Sequence, residues 1–318
     1  MRTAVLLDIR ALGADASDAA ELAAALRARG HEPLVLVRGP GRPGDAAPAP
    51  RGVMAWPGLR GYRRVEREFK PDRVVRVDTG SGQTYWRLSG ALGMVSSRGW
   101  RSTGIPPTNW GVDPRRAGRS RLALWDGNYV LCPTAVDETC GSALLAAFAR
   151  VGEERPQLDL VVLADPQRHL LHVAERLGIA ARVHFAGLAT RDAEWAWLAH
   201  AGAVAMVPGA PVSPGLMLRS WATGRPPVTC HGFPCAIWVD PGRTGWCCQP
   251  DADSLARGLR EALAPGPALR LMMDVSRRLA AERTWEHAVL ALDASLHATR
   301  AVRAPVARPA TETQKKAA

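Results

Sequence analysis

The chain of 318 residues is long enough for two domains, each with a core of its own. A hydrophobic content of 47% with 22% charged residues is ordinary for a globular protein, and no run of eighteen apolar residues is present, which excludes a membrane-spanning helix. The formal net charge is +11, yet the 38 arginines are scattered and accompany no nucleic-acid-binding motif, which argues against a nucleic-acid partner.

The first predicted element is a short strand, AVLLDI. Asp8 and Arg10 interrupt its apolar run and no small-residue cleavage site follows, so the segment lacks the pattern of a signal peptide. We therefore expect a cytoplasmic protein. The basic charge also fits a peripheral position at the inner face of the membrane, where anionic lipid is present.

An alanine-rich helix follows, with Ser17 or Asp18 as its N-cap and Gly30 at its end. The next apolar segment, HEPLVLV, predicts a second strand. Strand, helix and strand in this order form a βαβ unit, which implies a parallel sheet with a right-handed crossover. Residues 39–50 are rich in Pro, Gly and Ala and predict a loop, and RVVRVD predicts a further strand.

From residue 128 onward, predicted strands and helices alternate strictly. The strands are YVLCPTA, LDLVVLAD, RVHFAGL and VAMVPG, and the helices between them are GSALLAAFARV, HLLHVAERLGI and DAEWAWLAHAG. Such alternation over this length predicts a doubly wound parallel sheet.

Six cysteines stand at positions 132, 140, 230, 235, 247 and 248. The nearest approach to a metal-binding pattern is Cys230-His231-x3-Cys235 with the pair Cys247-Cys248, and this spacing is looser than the paired ligand clusters of zinc sites. We therefore expect buried free thiols, without disulfides and without a metal.

Several short motifs together resemble one enzyme family. They are LRARGHEPLVLV in the first βαβ unit, KPDRV before a strand, the passage GIPPTNWGVD with Asn109, Gly111, Val112 and Asp113, and the segment GRPPV beginning at Gly224. In this order they resemble the group-one, glycogen synthase-like retaining glycosyltransferases, whose architecture is called GT-B. The resemblance implies an α/β fold of two Rossmann-like, doubly wound domains.

The resemblance also implies domain boundaries. The first domain, residues 1–122, is shorter than in the family, so the acceptor side is reduced. Residues 123–284 form the donor-side domain, residues 285–303 a helix that crosses back to the first domain, and residues 304–318 a tail whose composition predicts disorder.

The family's donor site carries two glutamates and an Arg/Lys pair, and this chain departs from all four. The glutamates fall at Pro211 or Val212 and at Arg219 or Ser220, and no Glu or Asp occurs between Ala203 and Asp240. The cations fall at Thr134 or Ala135 and at Cys140, none of which carries a positive charge. The family's acceptor-side histidine has no evident counterpart.

The remaining candidates for binding a donor or its nucleotide are Pro214, Gly215, Leu216, Arg219, Gly141 and Gly187. The loop SPGLMLRS, with Pro214 and Gly215 before the helix, could present backbone N–H groups to a phosphate, and Arg219 could replace the missing cations. The simpler interpretation of Arg219 is an exposed arginine on a helix.

Two functions stay open. The resemblance implies transfer of a sugar from a nucleotide-diphosphate donor with retention, and with no cofactor. The missing carboxylates and cations favour instead an inactive relative that acts as a binding or scaffold partner of another protein. A dinucleotide oxidoreductase is disfavoured because no G-x-G-x-x-G follows the first strand.

Overall fold

A computed structural model describes residues 2–8, 16–38, 53–55, 64, 67–70, 73–76, 128–210, 212 and 214–290. The GIPPTNWGVD passage, the predicted helix beyond residue 290 and the 304–318 tail lie outside the described residues.

The amino-terminal part forms a four-stranded parallel sheet with the order β3-β2-β1-β4. Its elements are β1 (Arg2–Asp8), α1 (Ala16–Ala28), β2 (Glu32–Arg38), β3 (Val53–Ala55) and β4 (Arg73–Arg76). Helix α1 buries Ala19, Leu22, Ala23 and Leu26, which share one helical face, and Gly30 ends the turn after it with a φ of 77°. The predicted βαβ unit is therefore confirmed.

The second sheet has six parallel strands in the order β10-β9-β8-β5-β6-β7. The strands are β5 (Tyr129–Cys132), β6 (Asp159–Val162), β7 (Val183–Phe185), β8 (Ala203–Met206), β9 (Pro227–Cys230) and β10 (Trp246–Cys248). The strand order reverses between β5 and β8, which confirms the predicted doubly wound sheet.

Six α-helices cover the two faces of this sheet within the described residues between 128 and 282. They are α2 (Glu138–Glu154), α3 (Arg168–Arg176), α4 (Arg191–His200), α5 (Pro214–Ala222), α6 (Ala252–Leu263) and α7 (Pro267–Glu282), and short 3₁₀ turns span Ala180–Arg182 and Pro234–Trp238. None of the helices in the described ranges is both long and apolar enough to cross a membrane.

The strands are apolar on both sides because helices cover both faces. Along β5, Tyr129 and Leu131 belong to the core under α4 and α5, while Val130 and Cys132 belong to the core under α2 and α6. Exposed ion pairs join α2 to α6: Arg260 contacts Glu154 at 2.8 Å, and Arg150 contacts Asp253.

Residues 285–290 are helical, and Trp285 contacts the amino-terminal part of the chain. The indole Nε1 of Trp285 donates to Oε2 of Glu21 on α1 at 2.8 Å, and Trp285 is 7% exposed. Ala288 and Val289 are buried in the same core as Leu22 and Leu26 of α1. These contacts join the end of the described chain to the first sheet.

Candidate functional site

The carboxyl edge of the six-stranded sheet is where the fold places a ligand site. In open parallel sheets, ligands bind outside the carboxyl ends of the strands, at the point where the strand order reverses, because successive connections there leave toward opposite faces. In this chain the two connections are the β5 loop (residues 133–137), which leads to α2, and the connection from β8 to α5, of which residues 207–210 and 212 are described and are called the β8 loop. The space between these two loops is called the crevice below.

The β5 and β8 loops are joined across the crevice by backbone hydrogen bonds. Val136 and Gly209 form an isolated antiparallel bridge. Asp137 N–H donates to the carbonyl of Pro208 at 3.1 Å, and Ala210 N–H donates to the carbonyl of Ala135 at 2.8 Å. Main-chain hydrogen bonds therefore join the two loops directly.

Gly209 is required for this close approach. Its φ is 155°, and a Cβ atom at this position would lie 2.4 Å from the carbonyl oxygen of Ala135 and 2.4 Å from Cα of Val136. Both are backbone atoms and cannot turn aside as a flexible side chain would. Any residue other than glycine would push the two loops apart.

Gln167, from the loop after β6, holds the β5 loop on its other side. Its Nε2 donates to the carbonyl of Val136 at 2.9 Å, and its Oε1 accepts from the N–H of Val136 at 3.4 Å. One side-chain amide thus contacts both polar backbone groups of a single residue. The β5 loop is held from the β6 side by Gln167 and from the β8 side by Gly209.

Four amide donors of the β5 and β8 loops and of the first turn of α2 are engaged within the protein. Val136, Asp137 and Ala210 donate as described, and Cys140 N–H donates to Oδ1 of Asp137 at 2.7 Å. Asp137 is the N-cap of α2, so a carboxylate occupies the helix N-terminus, where an anionic ligand would be stabilised.

Arg219 on α5 is buried and its charge faces another helix. It is 3% exposed, and its Nε donates to Oε1 of Glu194 on α4. Nη1 of Arg191 contacts the same oxygen at 3.2 Å, and the Glu194 side chain is 15% exposed. The expectation of an exposed arginine is wrong, because the carboxylate of Glu194 compensates for the burial of its charge.

Gly141 and Gly187 are the other predicted glycines, and they have different surroundings. A Cβ on Gly141 would meet Leu170 Cδ2 at 2.6 Å and Val136 Cγ2 at 2.8 Å, so this glycine allows α2 to pack closely against α3. Gly187 has a φ of 69°, and its N–H donates to the carbonyl of Ala164 at 3.2 Å. Gly187 therefore ends β7 with a turn at the carboxyl edge.

Pro214, Gly215 and Leu216 form the first turn of α5, directly after the β8 loop. Gly215 and Leu216 are buried. The structure thus brings the 214–216 turn to the crevice but directs Arg219, less than two turns further along, into the α4–α5 contact. Whether 214–216, Gly141 or Gly187 binds a donor stays a prediction.

The six cysteines are free thiols; five are buried and Cys247 is half-buried. Burial raises the pKa of Cys132 to about 12, that of Cys230 to about 12 and that of Cys235 to about 11. These thiols are protonated at neutral pH. In the described part of the chain, no three His, Cys, Asp or Glu side chains are grouped as metal ligands.

No protein-family model matches the sequence, and no curated protein is significantly similar to it. Solved structures do match over nearly the whole chain. HepE from Anabaena, solved in complex with UDP, has a TM-score of 0.65 at 14% identity over 93% of this chain and 100% of its own. WaaG, a glycosyltransferase involved in lipopolysaccharide biosynthesis, has a TM-score of 0.61 at 17% identity over 92% of this chain and 99% of its own.

Sucrose-phosphate synthase from Thermosynechococcus elongatus has a TM-score of 0.63 at 16% identity, over 95% of this chain and 100% of its own. The chain has the GT-B fold. The fold inferred from the short motifs is thereby confirmed. Sequence identities of 14–17% support the fold and no functional property.

Within this GT-B fold, sequence reasoning missed Gln167, Gly209 and Glu194. Gly209 had a local signal, since it follows a buried strand in VAMVPG, where a connection must turn. Gln167 had none, and Glu194 had only its helical spacing from Arg191, because Val136 and Arg219 lie 31 and 25 positions away from them.

Proposed function

We propose that this GT-B protein is a member of the group-one glycosyltransferase family that no longer transfers sugar and acts as a binding or scaffold partner of another protein. The observation that carries the proposal is the buried contact between Arg219 and Glu194. By resemblance, the second donor-binding glutamate of the family falls at Arg219 or Ser220. Neither residue is a carboxylate; Arg219 has the opposite charge and contacts Glu194 on another helix, and the Ser220 hydroxyl donates to the carbonyl of Arg225.

Loss of the family's donor contacts would weaken donor binding strongly. Carboxylates accept hydrogen bonds from sugar and ribose hydroxyls, whereas an arginine only donates and a proline side chain does neither. Each hydrogen bond to a charged group is worth about 1.5–3 kcal/mol, and each 1.4 kcal/mol is about tenfold in affinity. Several such losses together would raise a micromolar dissociation constant for the donor above physiological donor concentrations.

The β5 loop would also fail to stabilise the negative charge of a departing diphosphate. A leaving diphosphate develops negative charge, which cations and free amide donors stabilise. Thr134, Ala135 and Cys140 supply no cation, and the neighbouring amides of Val136 and Asp137 donate to protein acceptors. The carboxylate of Asp137 adds a negative charge at the same helix end.

The second candidate function is an active retaining transferase. It is favoured by the structural match to HepE, which was solved with UDP and is covered along its full length. The same match makes a nucleotide-sugar the donor to test first.

A thermal-shift screen of the purified chain against UDP, GDP, ADP, TDP and their sugar conjugates separates the two functions. A ligand at a hundred times its dissociation constant adds about 2.7 kcal/mol of stability. If the chain is an inactive scaffold, its melting temperature should be the same with every compound as without one. A rise with one base and its conjugates would contradict the proposal and favour the transferase. To find a partner, the tagged full chain is purified, and the proteins that co-purify with it in stoichiometric amounts are identified.

A further inference from the structure

The formal charge is divided unevenly along the chain. Residues 1–127 contain 21 arginines and lysines against 12 aspartates and glutamates, a formal charge of +9. Residues 128–290 contain 15 against 16, a formal charge of −1. The part of the chain that contains the first sheet therefore carries most of the positive charge, which favours an anionic partner for that part.

The topology of the first sheet brings cations from distant parts of the sequence to one edge. Because β1, β2 and β4 are parallel, their first residues lie at the same edge, which is called the amino edge below. Arg2 begins β1, and α1 ends toward this edge with Arg27 in its last turn and Arg29 directly after it. Lys70 precedes β4, and Nη1 of Arg2 donates to the carbonyl of the adjacent Phe69 at 3.3 Å. All four cations are exposed.

A helical segment before Lys70 adds Arg64 and Arg67. Arg64 and residues 67–69 are helical, and both arginines are exposed. Nε of Arg64 donates to Oε1 of Glu68 at 2.8 Å, and the Arg64 side chain is 77% exposed. A guanidinium has five N–H donors, so an exposed arginine that pairs with one carboxylate can still contact a second one.

The backbone of Lys70 adopts a conformation that is unfavourable for a lysine. Its φ is 47°, in the left-handed region. Glycine is preferred at such a position after a helix, because a side chain there is strained. A lysine at this position keeps a positive charge at the amino edge although glycine would be more stable, which indicates that the charge serves binding.

We propose that the amino edge of the first sheet, together with the helical segment of Arg64 and Arg67, binds an acidic segment of another protein. The inference rests on the proposed function only in taking another protein as the occupant. Oε2 of Glu32 accepts from Nε of Arg2 at 2.9 Å, so carboxylates lie among the cations of this surface. Such a mixed pattern selects a protein segment of complementary charge over the uniform charge of a nucleic-acid backbone.

The same surface is less suited to a membrane. Among the described residues, those at the amino edge include no exposed large apolar side chain, whereas helices that attach to a bilayer bury such side chains in it. Arginine, which supplies all of these cations except Lys70, is enriched at protein interfaces, where lysine is depleted.

Fluorescence anisotropy of a labelled poly-glutamate peptide measures this binding on the full chain. The test variant combines Arg64→Gln, Arg67→Gln and Lys70→Gln. The control variant removes three exposed arginines of α6 and α7 by Arg257→Gln, Arg270→Gln and Arg278→Gln. Both variants lose three positive charges, so an effect of net charge alone would be equal in the two. We expect the affinity to fall about tenfold in the test variant and less than about twofold in the control.

Lys70→Gly distinguishes a binding role of Lys70 from a structural one. Glycine adopts a φ of 47° without strain, so the melting temperature should rise by about 2 °C. The positive charge is lost at the same time, so the affinity for poly-glutamate should fall about threefold. This single variant also replaces the test variant should the latter not fold, with Arg278→Gln as its control.

Any of four results would overturn the docking surface. They are no binding of poly-glutamate by the wild type, equal losses of affinity in the test and control variants, and unchanged affinity in Lys70→Gly. The fourth is tighter binding of the wild type to vesicles of phosphatidylserine and phosphatidylcholine, or to duplex DNA, than to the peptide. Sugar transfer by the wild type would refute the proposed function, while the comparison of the two variants would still decide the docking surface.

Discussion

Arg219 on α5 donates from Nε to Oε1 of Glu194 on α4, and Arg191 contacts the same carboxylate oxygen. Two guanidinium groups thus share one carboxylate between two helices, at side-chain exposures of 3% and 6%. The arrangement stabilises the α4–α5 contact only while the carboxylate is present, because buried charges of like sign would otherwise face each other.

Replacing the shared carboxylate should be more damaging than replacing either arginine. Glu194→Gln leaves Arg191 and Arg219 side by side without the charge that both contact, and we expect a loss of about 3–5 kcal/mol in the free energy of unfolding. Arg219→Met leaves Glu194 in contact with Arg191 and should lose about 1–2 kcal/mol. Urea denaturation measures both.

Glu154→Gln is the matched control for this pair. Glu154 contacts Arg260 at 2.8 Å, but its side chain is 55% exposed, so its loss should change stability by less than about 1 kcal/mol. Equal effects of Glu194→Gln and Glu154→Gln would contradict a structural role for the buried cluster.

Gly209→Ala should open the two crevice loops. Its Cβ would lie 2.4 Å from backbone atoms of Ala135 and Val136, and we expect a loss of about 2–4 kcal/mol in the free energy of unfolding. Gly232→Ala provides the comparison, since Gly232 also has a positive φ of 78° but has no atom within 4 Å of the added Cβ. Its loss should be about 1–2 kcal/mol, from backbone conformation alone. Equal losses in the free energy of unfolding for the two variants would show that separating the two loops costs no stability.

Gly224 and Arg277 should be coupled in a double-mutant cycle. The guanidinium of Arg277 on α7 lies 2.4–2.5 Å from a Cβ built on Gly224, whose φ is 69°. Gly224→Ala therefore loses stability through backbone conformation and through contact with Arg277. In an Arg277→Ala background only the first loss remains, so the two substitutions should be less harmful together than their sum by about 0.5–2 kcal/mol. Additive losses would contradict the contact.

The local patterns of the sequence predicted β1, β2, β4 and the alternating elements from β5 to β8, because these segments are apolar and separated by turns. Strands β3, β9 and β10 were not predicted. Burial of both faces of β5 and the glycine turn at Gly30 follow from residues close together in the chain. The partner of Arg219 could not be predicted, since Glu194 lies 25 positions earlier on another helix. The same holds for Gln167 and Val136, whose contact depends on how three connections meet above the sheet.

Stability should fall at alkaline pH through the buried thiols. The pKa of Cys132 and of Cys230 is raised to about 12 by burial, from an ordinary value of 9.0. The unfolded chain therefore loses these protons near pH 9, while the folded chain keeps them. The stabilisation is complete below pH 9 and is lost as pH rises from there toward 12, at about 1 kcal/mol per pH unit for each thiol.

Urea denaturation in the presence of a reductant between pH 8 and pH 10.5 measures this slope. Cys230→Ala removes one of the contributing thiols and should make the slope shallower by that thiol's share. A slope that is identical in the two proteins would mean that Cys230 is ionised equally in the folded and unfolded states.

Loss of transfer chemistry is the central claim, and donor turnover tests it most directly. The purified chain is incubated for hours with UDP-, GDP-, ADP- and TDP-sugars, and released nucleoside diphosphate is quantified against a buffer blank. The account predicts no release above the blank with any donor. Release that depends on the protein, saturates with one donor and disappears in a variant of the crevice loops would contradict it.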